Sequence, residues 1–237
     1  MKKFVFSILP VFLFINTMTQ EPAQRLTEND LQNFSRGSIV TLPDINSLYE
    51  GVKGTPYLTD KWEKGEILFT NGTKIEDIKI RYNIYKDELE FMNSTSGKSF
   101  IIDRQKVEGF NLIVQDKTLS FRNFNLKPEK NDDLSFFRIL YNGSVTLLRK
   151  YKKEFRRADY RGGYATGKRY DEYIDGQDYY FVNYSGNIEK IRLGKKSVLS
   201  VLNNKEAEIK KYAAENSISF SDEEDIVKLL TFFDSLD

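Results

Sequence analysis

Apolar and polar positions alternate along most of the chain from Trp62 to Leu193. They then recur at three- and four-residue steps through the remaining residues. The first pattern predicts strands with one buried face, the second amphipathic helices. "GEILFT" (65–70) runs into Asn71-Gly72 and then "TKIEDIKIRYN" (73–83). Asn-Gly between alternating runs predicts a hairpin whose two central residues both take positive φ. The step from Ile75 to Ile78 breaks the alternation that Ile78 and Ile80 resume, and a bulge near Glu76–Asp77 restores it. "YKDELEFMN" (85–93), "KSFIID" (98–103), "VEGFNLIVQ" (107–115) and "TLSFRNFNL" (118–126) continue the meander. "LSFFRILYNG" (134–143) and "SVTLLRKYKKEF" (144–155) meet at a second Asn-Gly, and "DYYFVNY" (178–184) and "NIEKIRL" (187–193) flank Ser185-Gly186.

After Gly194 the period changes. "KKSVLSVLNN" (195–204) and "KEAEIKKYAAEN" (205–216) read as helices, with Ile209, Tyr212 and Ala213 on one face. Ser221 and Glu224 form a capping box that opens a last helix. Its stripe is Ile226, Leu229, Leu230 and Phe233, and Asp222, Glu223 and Glu224 sit where the helix dipole favours acids. The expected fold is α+β, an antiparallel, hairpin-rich β-meander followed by two or three C-terminal helices that cover a face or end of the sheet. The expected layout is a signal peptide over 1–19 and an arm or linker over 20–56, with a short helical candidate at 26–34. A β-rich body over 57–193 follows, with a basic loop at 156–177, and then helices over 194–237 packed on the body.

The N-terminus changes the picture of where this fold works. Lys2 and Lys3 precede "FVFSILPVFLFI" (4–15), an apolar run of twelve residues. A bilayer of about 30 Å needs about 20. Thr17 and Thr19 are small residues at the −3 and −1 positions, so cleavage is expected between Thr19 and Gln20. Without 1–19 the chain carries 34 basic and 35 acidic side chains. Such a balance exerts no global pull on nucleic acid or an anionic membrane, so no nucleic-acid partner is expected. No later run is long enough to span a bilayer, and the turn to helix after Gly194 argues against an outer-membrane barrel. With no cysteine, the fold rests on its core rather than on disulfides. These features predict export to the periplasm, the outer membrane or the exterior of a bacterial cell.

Composition closes several chemistries. There is neither His nor Cys, so Ser-His-Asp and Cys-His catalysis are excluded, and zinc loses its usual ligands. No metal or cofactor is expected. Gly162, Gly167 and Lys168 have the spacing of a phosphate-binding loop. However, "EFRRADYR" is no buried strand, Arg169 replaces the magnesium-binding hydroxyl, and no helix follows. Asp171, Asp175 and Gly176 fall at calcium-loop positions, but Tyr173 and Val182 stand where ligands are needed. Asn71, Asn93, Asn142 and Asn183 begin Asn-x-Ser/Thr triplets that read as turn chemistry rather than glycosylation sites. Glu88 and Glu90 share one face of a strand, and that pair is what a carboxylate-dependent carbohydrate hydrolase would use. Leu89 and Phe91 point inward on this reading, which puts both acids on the solvent face.

Residues 149–169 hold nine basic side chains and two acids, interleaved with Tyr151, Phe155, Tyr160 and Tyr164. Arg156, Arg157, Tyr160, Arg161, Tyr164, Lys168 and Arg169 are therefore candidate ligands for an anionic envelope polymer, through ion pairing and stacking. An envelope protein is the other candidate partner. The competing expectation is a solvated loop, or one paired with the acidic region 203–237, which holds nine acids against four lysines. The sequence sets no oligomeric state.

"EGVKGTPYLTDKWEKGEILFTNG" (50–72), "IRYNIYKDELEF" (80–91) and the segment from Lys195 to Leu236 resemble a group of uncharacterised exported proteins of Bacteroidota. The resemblance implies export and a β-rich body with a helical C-terminus. It transfers no activity and no site residue, and the Arg/Tyr/Gly stretch at 156–172 falls outside it. The function expected from the whole sequence is a non-enzymatic binding or interaction module of the cell envelope, with the hydrolase as alternative.

Overall fold

The computed structural model describes residues 31, 34, 52–126, 133–158, 170–183, 185–202 and 205–236. Among these, eleven strands form one sheet, mostly antiparallel, and three helices follow, an α+β fold. The strands are β1 (Val52–Lys53), β2 (Glu63–Phe69), β3 (Lys74–Asn83), β4 (Glu88–Met92), β5 (Ser99–Ile101) and β6 (Val107–Val114). Then come β7 (Lys117–Asn125), β8 (Leu134–Asn142), β9 (Thr146–Arg156), β10 (Asp171–Val182) and β11 (Ile188–Ile191). The helices are α1 (Lys195–Val201), α2 (Glu206–Glu215) and α3 (Glu223–Asp234). The order across the sheet is β1-β10-β9-β8-β7-β6-β2-β3-β4-β5, with β11 on the far half of β10.

The sheet is rolled. β3 and β8 stand four strand positions apart, which is about 19 Å in a flat sheet at about 4.8 Å per strand. Yet the rings of Tyr82 and Phe136 are 5.9 Å apart, and Tyr82 also meets Phe110 and Phe121 at 5.5 and 5.4 Å. The roll encloses a core that includes Ile67, Phe69, Ile80, Phe91 and Phe121, each fully buried. Leu31 is fully buried in the same core, and Phe34 packs on Phe69 at 4.3 Å. The rest of 26–34, like the expected signal peptide 1–19, lies outside the described residues. The body begins before residue 57, because β1 pairs in parallel with Asp171 and Glu172 of β10. From there the chain crosses to β3, where the Leu58 amide donates to Tyr82 O at 3.0 Å and the Ile84 amide to Pro56 O at 2.9 Å. This strap helps to close the roll.

The bulge lies at Glu76–Asp77, where Gly65 faces Ile78 and Ile67 faces Ile75, and Asp77 takes φ +57°. The Asn71-Gly72 turn is a three-residue loop, 70–72, in which only Gly72 has positive φ. A type I turn followed by a left-handed glycine does the work expected of two left-handed residues. The hairpin with two left-handed central residues is Gln115-Asp116, φ +49° and +62°, between β6 and β7. At Asn142-Gly143 neither residue has positive φ. The glycine is needed there for a different reason: a Cβ would collide with the carboxylate of Asp234 and the ring of Tyr141.

The second core lies between β8–β10 and the helices and contains Leu147, Phe181, Val198, Leu202, Ile209, Leu229 and Phe233. Ile226, Leu229, Leu230 and Phe233 of α3 are at most 1 % exposed, and each such side chain stabilises by about 1.5–3 kcal/mol on burial. The N-cap of α3 is Asp222 rather than Ser221. Its carboxylate accepts from the Asp225 amide at 3.0 Å, while the Ser221 hydroxyl lies 3.1 Å from that of Ser219. Among the described residues no helix is long and apolar enough to cross a membrane.

Candidate functional site

The basic segment springs from β9 and returns as β10. That strand starts at Asp171, so residues 171–177 of the loop expected over 156–177 are strand, and β10 pairs with β9 without interruption from Glu172↔Arg156 to Val182↔Thr146. The calcium-like run from Asp171 is therefore extended backbone, and the Asp175 carboxylate lies 2.7 Å from Lys153 Nζ. A strand also follows where a phosphate-binding loop would need a helix.

The strand part of the segment is largely neutralised. Arg149 pairs with Glu223 at 2.8 Å, Lys150 with Asp87 at 2.7 Å, and Lys152 with Asp178. Lys153 pairs with Asp175, and Arg156 lies 3.7 Å from Glu172. The Arg149–Glu223 bond is one link between this segment and the acidic C-terminal region. Of the candidate polymer ligands, Arg156 is half-exposed at the end of β9 and Arg157 is exposed just beyond it. Tyr160, Arg161, Tyr164, Lys168 and Arg169 lie outside the described residues, as do Thr19 and Gln20.

The Glu88/Glu90 reading needs correction. The two acids do share a face, but that face is covered at Glu90, while Glu88 stays half-buried at the strand's start. Glu90 is 1 % exposed and sits opposite Arg81 on β3, with Arg81 Nη2 at 2.7 Å from Glu90 Oε2. The guanidinium lies 3.8 Å from the ring of Tyr57 and 4.2 Å from that of Trp62, and the Tyr57 hydroxyl donates to Glu90 at 3.3 Å. Burial raises the Glu90 carboxyl above its ordinary value, against the pull of Arg81. A carboxylate walled in this way holds the strap to β3 and β4 and cannot reach a substrate. Period-two alternation could not reveal this, because the covering residues come from a segment outside the pattern.

Two concavities adjoin each other along the β9–β10 pair. The larger, of about 760 Å³, lies between Thr55–Asp60 and the β9–β10 pair, with Arg149, Tyr151 and Gln177 on its wall. Its size falls within the range of about 300–1,000 Å³ typical of ligand pockets. The wall is held in place from behind. Arg149 stacks on Tyr151 at 4.2 Å, Arg138 donates to the Tyr151 hydroxyl at 3.1 Å, and Gln177 donates to Tyr179, which donates in turn to Glu223. The smaller, of about 380 Å³, lies beside the turn of Tyr85 and Asp87. Asp87 there accepts from Tyr82, Arg104 and Lys150 at 2.5, 2.8 and 2.7 Å, so one carboxylate ties the β3–β4 turn to β9. Burial lowers the Lys150 ammonium and Asp87 partly restores it. Sequence reasoning found the cations of this wall but not the strap that makes it a cleft. Comparison with protein-family models, with curated proteins and with solved structures found no match.

Proposed function

We propose that the chain is an exported cell-envelope protein that works as a non-enzymatic binding module, with the strap-side cleft as its binding site. The observation that carries this reading is the cleft itself: a concavity of about 760 Å³ whose polar wall is fixed by a second layer of hydrogen bonds. Preorganised polar groups lower the cost of ordering on binding. The basic n-region, the twelve-residue apolar run and the Thr17/Thr19 spacing support export to the periplasm or outer membrane, and so does the resemblance to exported Bacteroidota proteins. The deep burial of Glu90 counts against the two-carboxylate hydrolase.

The test is fractionation of producing cells followed by sedimentation of the purified protein with isolated envelopes. The expected result is a species beginning at Gln20 in the envelope fraction and saturable retention on envelopes. Recovery of the intact chain with Met1 from the cytosol, or cleavage of envelope glycans by the purified protein, would overturn the reading. If the basic segment grips an anionic polymer, replacing Arg156, Arg157, Arg161, Lys168 and Arg169 by Ser abolishes retention, and retention by the parent falls with salt, since exposed charges are screened over about 8 Å at physiological ionic strength.

A further inference from the structure

Gly176 is a residue that the fold does not require. It stands in the middle of β10, opposite Lys152 of β9. Its backbone is not left-handed, and a Cβ built there would meet only the Cβ of Lys152, at 3.7 Å, an ordinary contact. Glycine weakens a strand interior, and it marks places where a ligand or another backbone comes close. Gly176 lies on the wall shared by the two concavities, which Ile84, Tyr151, Lys153 and Asp175 also line on both sides.

We propose that this double cleft binds a segment of a neutral saccharide laid across the backbone of Gly176. The proposal rests on the reading of the chain as a binding module and names its ligand. The lining supplies the chemistry. Thr55, Thr59 and Tyr151 offer hydroxyls and Gln177 an amide, groups that both donate and accept, as sugar hydroxyls do. The cations do not select an anion: Arg149 is held by Glu223 and Lys153 by Asp175, and the cleft adds the carboxylate of Asp60. Leu58 and Ile84 are the aliphatic side chains of the larger concavity, too little to house an acyl chain. At the mouth of the smaller one, Tyr85 is 46 % exposed and braced edge-on against Tyr173 at 5.3 Å. A fixed, exposed ring of this kind offers an apolar face to the C–H side of a sugar.

The experiment is isothermal titration of the mature protein with maltohexaose, cellohexaose, laminarihexaose and N-acetylchitohexaose, and with hexagalacturonate as the anionic comparison. At least one neutral hexasaccharide is expected to bind. Gly176→Val should weaken that binding by about tenfold or more with no fall in Tm, because valine suits a strand better than glycine. Should Gly176→Val fail to fold, Gln177→Ala removes one polar contact at the same place and should weaken binding as well. Binding by none of the neutral sugars, tighter binding of hexagalacturonate, or unchanged affinity in a folded variant each overturns the proposal. Saturable retention on envelopes alongside any of these results would sink only the ligand class and leave the binding-module reading standing.

Discussion

The rolled half of the sheet and its helix-capped half are fastened in opposite ways. In the roll the polar fastening is buried: Arg81 and Glu90 keep 4 % and 2 % of their side-chain surface and lie under two aromatic rings. In the cap the helices bury their own apolar stripe, and polar pins at the two ends of α3 attach it to the strands. Glu223 meets Arg149 and Tyr179 at one end, and Asp234 meets Tyr141 and Ser144 at the other. These pins keep partial contact with water; the Arg149–Glu223 side chains retain 21 % and 22 % of their surface. The same pair of residue types therefore has different consequences. Water can replace a partner lost from the cap, but it cannot reach a charge abandoned in the roll.

The sharpest way to break this contrast is Glu90→Ala. It leaves the Arg81 guanidinium buried without its carboxylate, and the expected loss is about 3–5 kcal/mol of unfolding free energy. Denaturant titration measures it, with Trp62, the single tryptophan, as a fluorescent reporter beside the site. The double variant Arg81→Met, Glu90→Leu should recover most of the loss, because well-packed apolar residues replace buried ion pairs at little cost. A loss below about 1 kcal/mol in Glu90→Ala would mean that the strap opens and hydrates Arg81, and the distinction between the two halves would fall.

The Asp234 pin predicts a pH window for the cap. Burial works against the Asp234 carboxylate, but the bonds from Ser144 and Tyr141 outweigh it and hold its pKa below the ordinary 3.8. A depressed folded-state pKa gives stability that is present above the unfolded value and is lost as pH falls through the folded one. Tyr141 moves the other way: burial first, and then its bond to Asp234, push it up to about 12 from 10.0. That contribution is full below pH 10 and is lost as pH rises toward 12. Asp234→Asn should cost about 1–3 kcal/mol near neutral pH and flatten the dependence of Tm on pH below about pH 4. An unchanged acid limb would show that this pin does not hold the cap. The Glu223 pin is weaker. Glu223→Gln should cost about 1 kcal/mol or less, and the cost should shrink in high salt, while that of Glu90→Ala should not.

What the sequence disclosed follows the same division. Elements fixed by neighbours in the chain were legible: the strand alternation, the bulge at Glu76–Asp77, and the stripe of Ile226, Leu229, Leu230 and Phe233. Features fixed by distant residues were not. Glu90 reads as a solvent-facing acid until Tyr57 and Trp62 cross over it, and Gly143 reads as a hairpin glycine until Asp234 arrives from the last helix. Asp171 to Gln177 read as the end of the basic loop. β9 supplies the partner strand that extends them. The cleft belongs to this second class, since its two walls are more than ninety residues apart in sequence at Tyr57 and Tyr151.

The finest test concerns two neighbours at the start of α3. Ser221 has the capping-box spacing to Glu224, yet the structure gives the role to Asp222. Its carboxylate accepts from the Asp225 amide at 3.0 Å, and the Asp225 carboxylate reaches back to the Ser219 amide at 2.9 Å. No reciprocal box forms, because the Asp222 amide donates to Ser219 O at 3.2 Å rather than to the Asp225 carboxylate, and the Ser221 hydroxyl is turned toward Ser219. A carboxylate has an advantage here, because the N-terminal turn carries partial positive charge as well as unpaired amides. Asp222→Ala should cost about 0.5–1 kcal/mol, the low part of the usual capping range because the site is exposed. Ser221→Ala should stay within about 0.5 kcal/mol of the parent. Hydrogen exchange at the amides of the first turn of α3 separates the two variants. Faster exchange in Ser221→Ala than in Asp222→Ala would return the cap to serine.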